Sequence, residues 1–501
     1  MVNWRQIFKV LGMLLFIEAG LLLITMGVAL IYKEDVMPYV WTLIITLVLG
    51  IIGRGIGWNS GKNMGRRDGY LIVSLVWLVF SLIGMIPFIL TDCVPDVASA
   101  FFETMSGFTS TGATIFDNID ILPKGILFWR SVTQWIGGIG IIFFTLDILP
   151  AFGVGEVKLF AAETTGPLHE KIHPRISVAV KWIGSVYLLL TILCIASLLI
   201  CGMSAFDAVN IAMTTTGTGG FSPHSAFFHD QWNSKSIEYV TTVFMFLSGV
   251  NYTLLYYTVL KGRIRKFFQN PELRMYLAIV ALTTAVCTVS LMIQDNQGDL
   301  ELSFRQAIFT TVSIQTTTGF ASYDYTLWPQ VLMPVLMFLM FAGACSGSTS
   351  GGFKCIRWAI LWEGLHNEFK RILHPRVVAP VKLGGEVIPT SIQKTLLAFV
   401  SLFVGSLFLG AFILVLCGVD EDYLTIYDFS LILRQDFTEA FSLSLSSLSN
   451  VGPALGYYGP AHSWAVISPM AKVVCSILML IGRLEIFPIL IIFTKGFWRK
   501  E

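Results

Sequence analysis

Apolar stretches of about 20 residues recur along the whole chain, separated by short polar segments. An α-helix of that length can cross a hydrocarbon core of about 30 Å. The first stretch contains Glu18 and is followed by a charged segment, not by a small-residue cleavage site, so we expect a retained helix and not a signal peptide. The pattern predicts ten spans, at roughly 8–30, 39–58, 70–91, 125–150, 177–201, 238–260, 275–294, 329–342 continuing past a break to 360, 395–417 and 470–494.

Four shorter segments between these stretches share one spacing, in which an alanine is followed 12 residues later by a glycine. Each begins with an amphipathic run that is compatible with a helix and ends among Ser, Thr, Asn or Gly. Glycine tolerates positive φ and lets successive carbonyls point one way, so a short helix that leads into such a strand predicts a cation-binding turn. The pairs are Ala100/Gly112, Ala208/Gly220, Ala307/Gly319 and Ala440/Gly452.

The order of these segments predicts an all-α polytopic membrane protein in which four repeats of span, pore helix and span surround a central pore. Two extra transmembrane helices, in residues 1–68, precede the repeats. We expect the repeats at 69–154, 155–262, 263–360 and 361–501; the third has a broken second helix and the fourth begins with a cytoplasmic linker.

Composition places the chain in a bilayer and indicates no other partner. Of 501 residues, 55% are hydrophobic and 13% charged, and the mean hydropathy is +0.73, well above a soluble norm. The net charge of +1 gives no signal for nucleic acid. The eight cysteines form no CxxC pair and are interpreted as small residues of a membrane core.

Lysine and arginine predict the orientation. Of the 33 basic residues, 25 lie at the N-terminus, at Arg54, in loops around 62–67, 158–181, 261–274 and 354–394, and in the tail, whereas 6 lie in the alternate loops; Lys472 and Arg483 lie within the last predicted span. The positive-inside rule makes the rich side cytoplasmic. Both termini are then cytoplasmic, and all four short segments enter from outside.

Four segments that enter from one side can surround an ion, which one segment cannot do. A cation that leaves water needs several oxygens at close range, and the carbonyl end of each preceding half-helix favours a cation. Side-chain hydroxyl or amide groups can be added by Ser110, Thr111, Thr216, Thr317, Thr318, Ser449 and Asn450.

The segment at 343–357 interrupts an apolar span with glycine and serine. Non-helical backbone at bilayer depth is tolerated where it lines a cavity or packs within protein. A phosphate-binding loop is excluded by spacing, because Phe353 stands where the Walker lysine is required and Cys355 where Ser or Thr belongs.

Arg483 lies about ten residues from either end of its predicted span, too deep for easy snorkelling. A mid-membrane arginine costs about 2.5 kcal/mol or more unless it faces water or a partner. Glu485 is the nearest acid, but two residues apart on a helix the side chains point to different faces, which disfavours a direct ion pair.

Two further signals are set aside or left open. Residues 169–173 match HExxH, yet Pro167 and Pro174 flank them in a polar loop, so we expect no zinc site and no enzyme. Glu103, Asp147 and Asp207 lie at or near spans; they are interpreted as helix-end or vestibule charges, with ion coupling as the alternative.

The motifs TSTGAT, TGGFS, TTTGF and SNVGPALG resemble the Trk/Ktr/HKT superfamily of potassium transporters, and most closely its TrkH-type bacterial members, over essentially the whole chain. The resemblance implies K⁺ uptake across the bacterial inner membrane, with glycine in all four quarters favouring K⁺ and serine in the first quarter tending to pass Na⁺. It also implies a less symmetric filter than that of a tetrameric channel, because the fourth quarter lacks a threonine before its glycine. The implied K⁺-coordinating carbonyls belong to Thr111, Gly112, Gly219, Gly220, Thr318, Gly319, Val451 and Gly452.

The same resemblance implies an inner gate beneath the filter, in which Arg483 is an electrostatic barrier to cations. It implies a homodimer that binds a TrkA-like ring of soluble nucleotide-binding subunits, so that control by NAD or ATP resides in that partner. An H⁺- or Na⁺-coupled symporter, a Na⁺-permeable member of the fold and a membrane-embedded enzyme remain alternatives. The implied gate residues are Gly343, Gly347, Ser348, Gly351 and Gly352 of the loop, with Arg483.

Overall fold

The structure is a computed structural model, and it describes residues 2–58, 65–143, 176–259, 262, 264–294, 299–418 and 437–499. The described part of the chain is mostly helical, and its β-structure is one antiparallel pair of two-residue strands. Asp147, residues 169–173 and most of the basic loop at 155–181 lie outside the described residues.

Two long helices precede the repeats, α1 (Trp4–Ile31) and α2 (Met37–Ile56). They approach closely because glycines face each other; a methyl group built on Gly12 would lie 2.7 Å from the Gly50 carbonyl oxygen. Large apolar side chains on their outer faces remain exposed, including Ile24 (57%) and Ile51 (63%). Such faces suit a lipid solvent.

The first two repeats follow the predicted order of span, short helix and span. The first contains α3 (Arg66–Gly84), α4 (Ile86–Leu90), α5 (Val97–Phe108) and α6 (Lys124–Phe143). The second contains α7 (Ile176–Ile200), α8 (Ala205–Thr216), α9 (Phe228–Trp232), α10 (Lys235–Ser248) and α11 (Tyr252–Val259).

The other two repeats have more breaks. The third contains α12 (Ile264–Gln269), α13 (Pro271–Gln294), α14 (Leu300–Gln315), 3-10 turns at Tyr325–Leu327 and Gln330–Leu332, α15 (Met333–Ala342) and α16 (Cys355–Leu373). The fourth contains β1 (Lys382–Leu383), β2 (Glu386–Val387), α17 (Thr390–Cys417), α18 (Phe437–Ser449), α19 (Pro469–Arg483), α20 (Phe487–Leu490) and α21 (Lys495–Trp498), with 3-10 turns at Gly456–Tyr458 and Ile491–Phe493.

The four short helices α5, α8, α14 and α18 are buried at the centre of the protein, and long apolar helices surround them. Three of them begin at a polar cap, where Asp96, Ser204 and Asp299 accept hydrogen bonds from amides of the first turn. Such caps satisfy amides that have no partner within the helix. The sequence at each start therefore specifies where the chain turns back.

The predicted count of ten spans is not confirmed. Among the described residues, six helices are long and apolar enough to cross a bilayer, or seven if Pro469–Arg483 and Phe487–Phe493, bent by 111°, count as one span. The backbone breaks more often than expected: the predicted span 238–260 divides at residues 249–251, and 470–494 bends at residues 484–486. Arg483 therefore ends a helix and does not lie in the middle of one.

Candidate ion-binding ring and inner loop

Each central helix ends in the same backbone turn. Two residues before the repeat glycine the chain is left-handed, with φ of 51°, 50°, 56° and 56° at Ser110, Thr218, Thr317 and Asn450. The following amide donates to the carbonyl five residues earlier over 2.8–3.0 Å, as in a Schellman cap. The glycines then take φ of +88°, +82°, +81° and +99°, at Gly112, Gly220, Gly319 and Gly452. A side chain would strain this conformation.

The four turns form a closed ring in chain order. A methyl group on Gly112 would lie 2.0 Å from the Gly219 oxygen, and one on Gly220 would lie 2.0 Å from the Thr318 oxygen. A methyl on Gly319 would lie 2.2 Å from the Val451 oxygen, and one on Gly452 would lie 2.6 Å from the Thr111 oxygen. Each quarter thus places the carbonyl before its glycine against the glycine of the neighbouring quarter, and the fourth quarter meets the first.

All four glycines line one cavity of ≈ 120 Å³. In each quarter, the cavity wall is formed by the ring glycine and by residues that follow it in the chain. The wall also includes Arg130 and His224. Four backbone segments that converge on one small space can supply several oxygens to a single dehydrated cation.

Serine hydroxyls hold three of the four turns. Ser106 Oγ donates to the Ala113 carbonyl over 2.6 Å, and Ser313 Oγ donates to the Phe320 carbonyl over 2.6 Å. Ser446 Oγ donates to the Gly452 carbonyl over 2.9 Å. Asn450 Nδ2 also donates to Thr111 Oγ1 over 3.0 Å and joins the fourth quarter to the first. Fixed side chains of this kind pre-organise the backbone around the cavity.

The glycine-rich loop that joins α15 to α16 packs under the ring. Its two ends close on each other, because Phe353 N donates to the Phe341 carbonyl over 3.0 Å and a methyl on Gly352 would lie 2.9 Å from Gly343 Cα. The loop also rests on the break in the second repeat, where Tyr252 N donates to the Gly347 carbonyl over 3.0 Å. The loop is therefore folded, and its two ends lie close together.

The loop contacts three quarters directly. Thr349 Oγ1 donates to the Thr216 carbonyl over 3.1 Å, and Gly351 N donates to Thr317 Oγ1 over 2.7 Å. A methyl on Gly351 would lie 2.3 Å from the Ser449 oxygen. Ser348 Oγ bonds within the loop, to the Cys345 carbonyl at 2.5 Å.

Arg483 joins this loop to the first quarter. Its guanidinium donates to the carbonyls of Thr349 (2.7 Å) and Gly137 (2.9 Å) and to Ser110 Oγ (3.2 Å). Its side chain is 3% exposed, and the described residues give it no carboxylate partner. A buried guanidinium held by neutral oxygens places a positive charge beneath the ring.

Sequence reasoning left open the roles of two acids that the structure describes. Glu103 is fully buried and accepts from Arg130 Nε at 2.8 Å and from the Ile115 amide at 2.9 Å. Asp207 contacts His224 Nε2 at 3.1 Å, and Asp120 contacts His224 Nδ1 at 2.8 Å. The hydrogen bond with Asp207 is the main reason why the pKa of His224 is raised.

Several residues near the ring carried no signal in our sequence analysis. Arg130 accompanies Glu103, and its guanidinium lies 4.1 Å from the centroid of the Phe221 ring. Arg305 and Glu238 form a second buried ion pair at the third quarter. Acid and base lie far apart in the chain in both pairs, so helical spacing could not reveal them. Among the described residues, no group of three His, Cys, Asp or Glu side chains could hold a metal ion.

The fold and the ring define a multi-pass α-helical membrane protein built from four unlike quarters. Residues 41–499 match the model of the TrkH family, described as cation transport protein. The chain belongs to this family.

Individual relatives agree with that assignment along their full length. The Trk system potassium uptake protein TrkH of Escherichia coli is 35% identical over 507 residues and covers 100% of both chains. The protein named TrkG in the same organism is 33% identical over 99% of each. The crystal structure of the potassium transporter TrkH from Vibrio parahaemolyticus superposes with a TM-score of 0.87 and 34% identity, and covers 99% of this chain and 100% of that one.

Proposed function

We propose that this protein takes up potassium through a channel-like pore whose selectivity filter is the ring of Gly112, Gly220, Gly319 and Gly452. The observation that carries the proposal is the closed contact of four backbone turns around one cavity. Carbonyl oxygens there would replace the hydration shell of K⁺. The names of the relatives, potassium uptake proteins, support K⁺ as the transported ion.

The gate of this pore is the glycine-rich loop together with Arg483. The loop contacts the second, third and fourth quarters, and Arg483 contacts the first, so the two elements together contact all four quarters, which supports this assignment. The buried guanidinium adds an electrostatic barrier for cations. Opening requires the loop to leave Thr317 and Arg483 to lose its bond to Thr349.

The protein lies in the bacterial inner membrane with both termini cytoplasmic, as the distribution of basic residues supports. It works as a homodimer with a ring of nucleotide-binding subunits, consistent with the word system in the relatives' names. Helix α16 exposes Trp362 (70%) and Ile372 (73%) close to Lys370 and Arg371, which suits a docked partner.

Flux into proteoliposomes tests the function. K⁺-loaded vesicles that contain the purified protein should accumulate ⁸⁶Rb⁺ down its electrochemical gradient. This uptake should require neither H⁺ nor Na⁺. A strict requirement for H⁺ or Na⁺ would favour a symporter, and equal Na⁺ and Rb⁺ flux would favour a Na⁺-permeable member of the fold. The chain alone should not respond to NAD or ATP, and a response should appear when a regulatory subunit is added.

A further inference from the structure

The second quarter of the ring is built differently from the first and third. In the first and third quarters, one threonine stands three residues before the ring glycine and another stands directly before it. Their hydroxyls hydrogen-bond each other, at 2.7 Å for Thr109 and Thr111 and at 2.8 Å for Thr316 and Thr318. In the second quarter both positions are glycine, namely Gly217 and Gly219. The side chains that support the turn elsewhere are therefore missing at this place.

Gln134, from helix α6 of the first repeat, fills that space. A methyl group built on Gly219 would lie 2.3 Å from Gln134 Cδ, and one on Gly217 would lie 2.6 Å from the Gln134 carbonyl oxygen. The Gln134 side chain is fully buried. A side chain at position 219 and Gln134 thus exclude each other, which explains why this quarter has glycine where two others have threonine.

The amide of Gln134 clamps the backbone on both sides of Gly220. Its Nε2 donates to the Gly219 carbonyl over 2.7 Å, and its Oε1 accepts from the Phe221 amide over 3.0 Å. One backbone group only accepts and the other only donates, so the orientation of the side-chain amide is fixed. The clamped Gly219 oxygen is the atom that lies against Gly112 in the ring.

We propose that Gln134 is a positioning residue that sets K⁺ over Na⁺ selectivity, by fixing the Gly219 carbonyl in the ring. The inference rests on the proposed function, because it assumes that this ring is the filter. A carbonyl held at one place opposes contraction of the site around the smaller Na⁺ ion. The other three turns are held by their own serines, whereas this one depends on a side chain from another element.

The direct test compares ⁸⁶Rb⁺ and ²²Na⁺ flux in proteoliposomes for Gln134→Met, which keeps the volume and loses the amide. We expect Rb⁺ flux to persist while the Rb⁺/Na⁺ ratio falls by about tenfold, the factor that corresponds to one hydrogen bond of about 1.4 kcal/mol. Ser131→Ala is the matched control: Ser131 is buried on the same helix, and its hydroxyl bonds the Leu127 carbonyl of that helix. Its ratio should equal that of the wild type.

A ratio unchanged in a conducting Gln134→Met protein overturns the inference while the proposed function stands; a wild type that conducts no Rb⁺ overturns the proposed function itself. If Gln134→Met does not fold, Gln134→Leu decides by the same ratio, since it also lacks the amide that donates to the Gly219 carbonyl. Gly219→Ala should also lower the Rb⁺/Na⁺ ratio, because the added methyl group displaces the Gln134 side chain. The double variant Gly219→Ala/Gln134→Ala should therefore have the same ratio as Gly219→Ala alone. Two independent, additive drops would contradict the clamp.

Discussion

Arg357 and Glu485 form a buried ion pair, with Nη2 and Oε2 2.5 Å apart, although 128 residues separate them in the chain. Arg357 follows the glycine-rich loop at the start of α16, and Glu485 lies in the break after α19 with φ of 57°. The guanidinium also lies 3.8 Å from the centroid of the Phe399 ring. The pair thus ties the two interrupted helices of the proposed gate to each other.

Neutralising one member of this pair should destabilise the protein strongly. Arg357→Met leaves the Glu485 carboxylate without its partner, and Glu485→Gln does the same to Arg357; breaking a buried pair costs about 3–5 kcal/mol. The double variant should lose less than the sum of the two single variants, because it leaves no unpaired charge. Thermal unfolding in detergent measures all three.

The exposed pair of Arg371 and Glu368 is the control for that cycle. It lies on α16 at 2.5 Å, with exposures of 48% and 59%. Glu368→Gln should leave the unfolding temperature nearly unchanged, because exposed pairs contribute little. Equal losses at Glu368 and Glu485 would refute a special role for the buried pair.

Serine in place of Gly112 should reduce selectivity, and the reason can be separated from backbone strain. Gly112 has φ of +88°, and a Cβ would lie 2.0 Å from the Gly219 oxygen. Gly202 has φ of +91°, but a Cβ there meets no atom within 4 Å. Both changes bear a backbone strain of about 1–2 kcal/mol, and only Gly112→Ser displaces a ring carbonyl.

Rb⁺ and Na⁺ uptake in transport-deficient cells checks this expectation. Gly112→Ser should lower the Rb⁺/Na⁺ ratio, whereas Gly202→Ser should keep it at equal expression. The same loss of selectivity in both variants would assign the effect to strain and not to the contact with Gly219.

The four turns could be predicted because short-range chemistry specifies them. An amphipathic run and a glycine at fixed spacing lie within 12 residues of each other, so the Ala-to-Gly pattern contains the whole turn. Gln134 could not be predicted in the same way. It comes 22 residues after Gly112 and bonds the next quarter, which only the packing of α6 against α8 determines.

The two helix breaks that the sequence analysis did not predict, at residues 249–251 and 484–486, do have local sequence signals. Hydrophobicity averaged over a span does not show them. Asn251 caps α11, with Oδ1 accepting from the Thr253 amide at 2.9 Å, and it lies two residues after Gly249. Pro488 stands in the first turn of α20, where proline is common. Both signals sit inside apolar runs, so the runs predicted single helices. The pairing of Glu485 with Arg357 depends on one of these breaks.

The contacts of His224 with Asp120 and Asp207 should make stability depend on pH. The raised pKa of His224 means that the protonated ring favours the folded state. This contribution is complete below the unfolded-state pKa of about 6.5 and is lost as the pH rises through the higher folded-state pKa. The difference in unfolding temperature between wild type and His224→Gln should therefore shrink from pH 6 to pH 9. A difference independent of pH would contradict a charged His224.

Removing the charge of Arg483 should open a leak. In Arg483→Gln, the side-chain amide can still donate to one of the Thr349 and Gly137 carbonyls, but the positive charge beneath the ring is gone, so the barrier to a cation falls. We expect Rb⁺ flux without any regulatory partner to rise by about tenfold or more, the factor for a barrier lower by about 1.4 kcal/mol.

Arg483→Lys separates charge from shape: it keeps the charge and loses the fork that reaches three oxygens, so it should remain closed if charge dominates. A flux that rises equally in both variants would show that the hydrogen bonds, and not the charge, keep the gate shut, and unchanged flux in both would remove Arg483 from the gate.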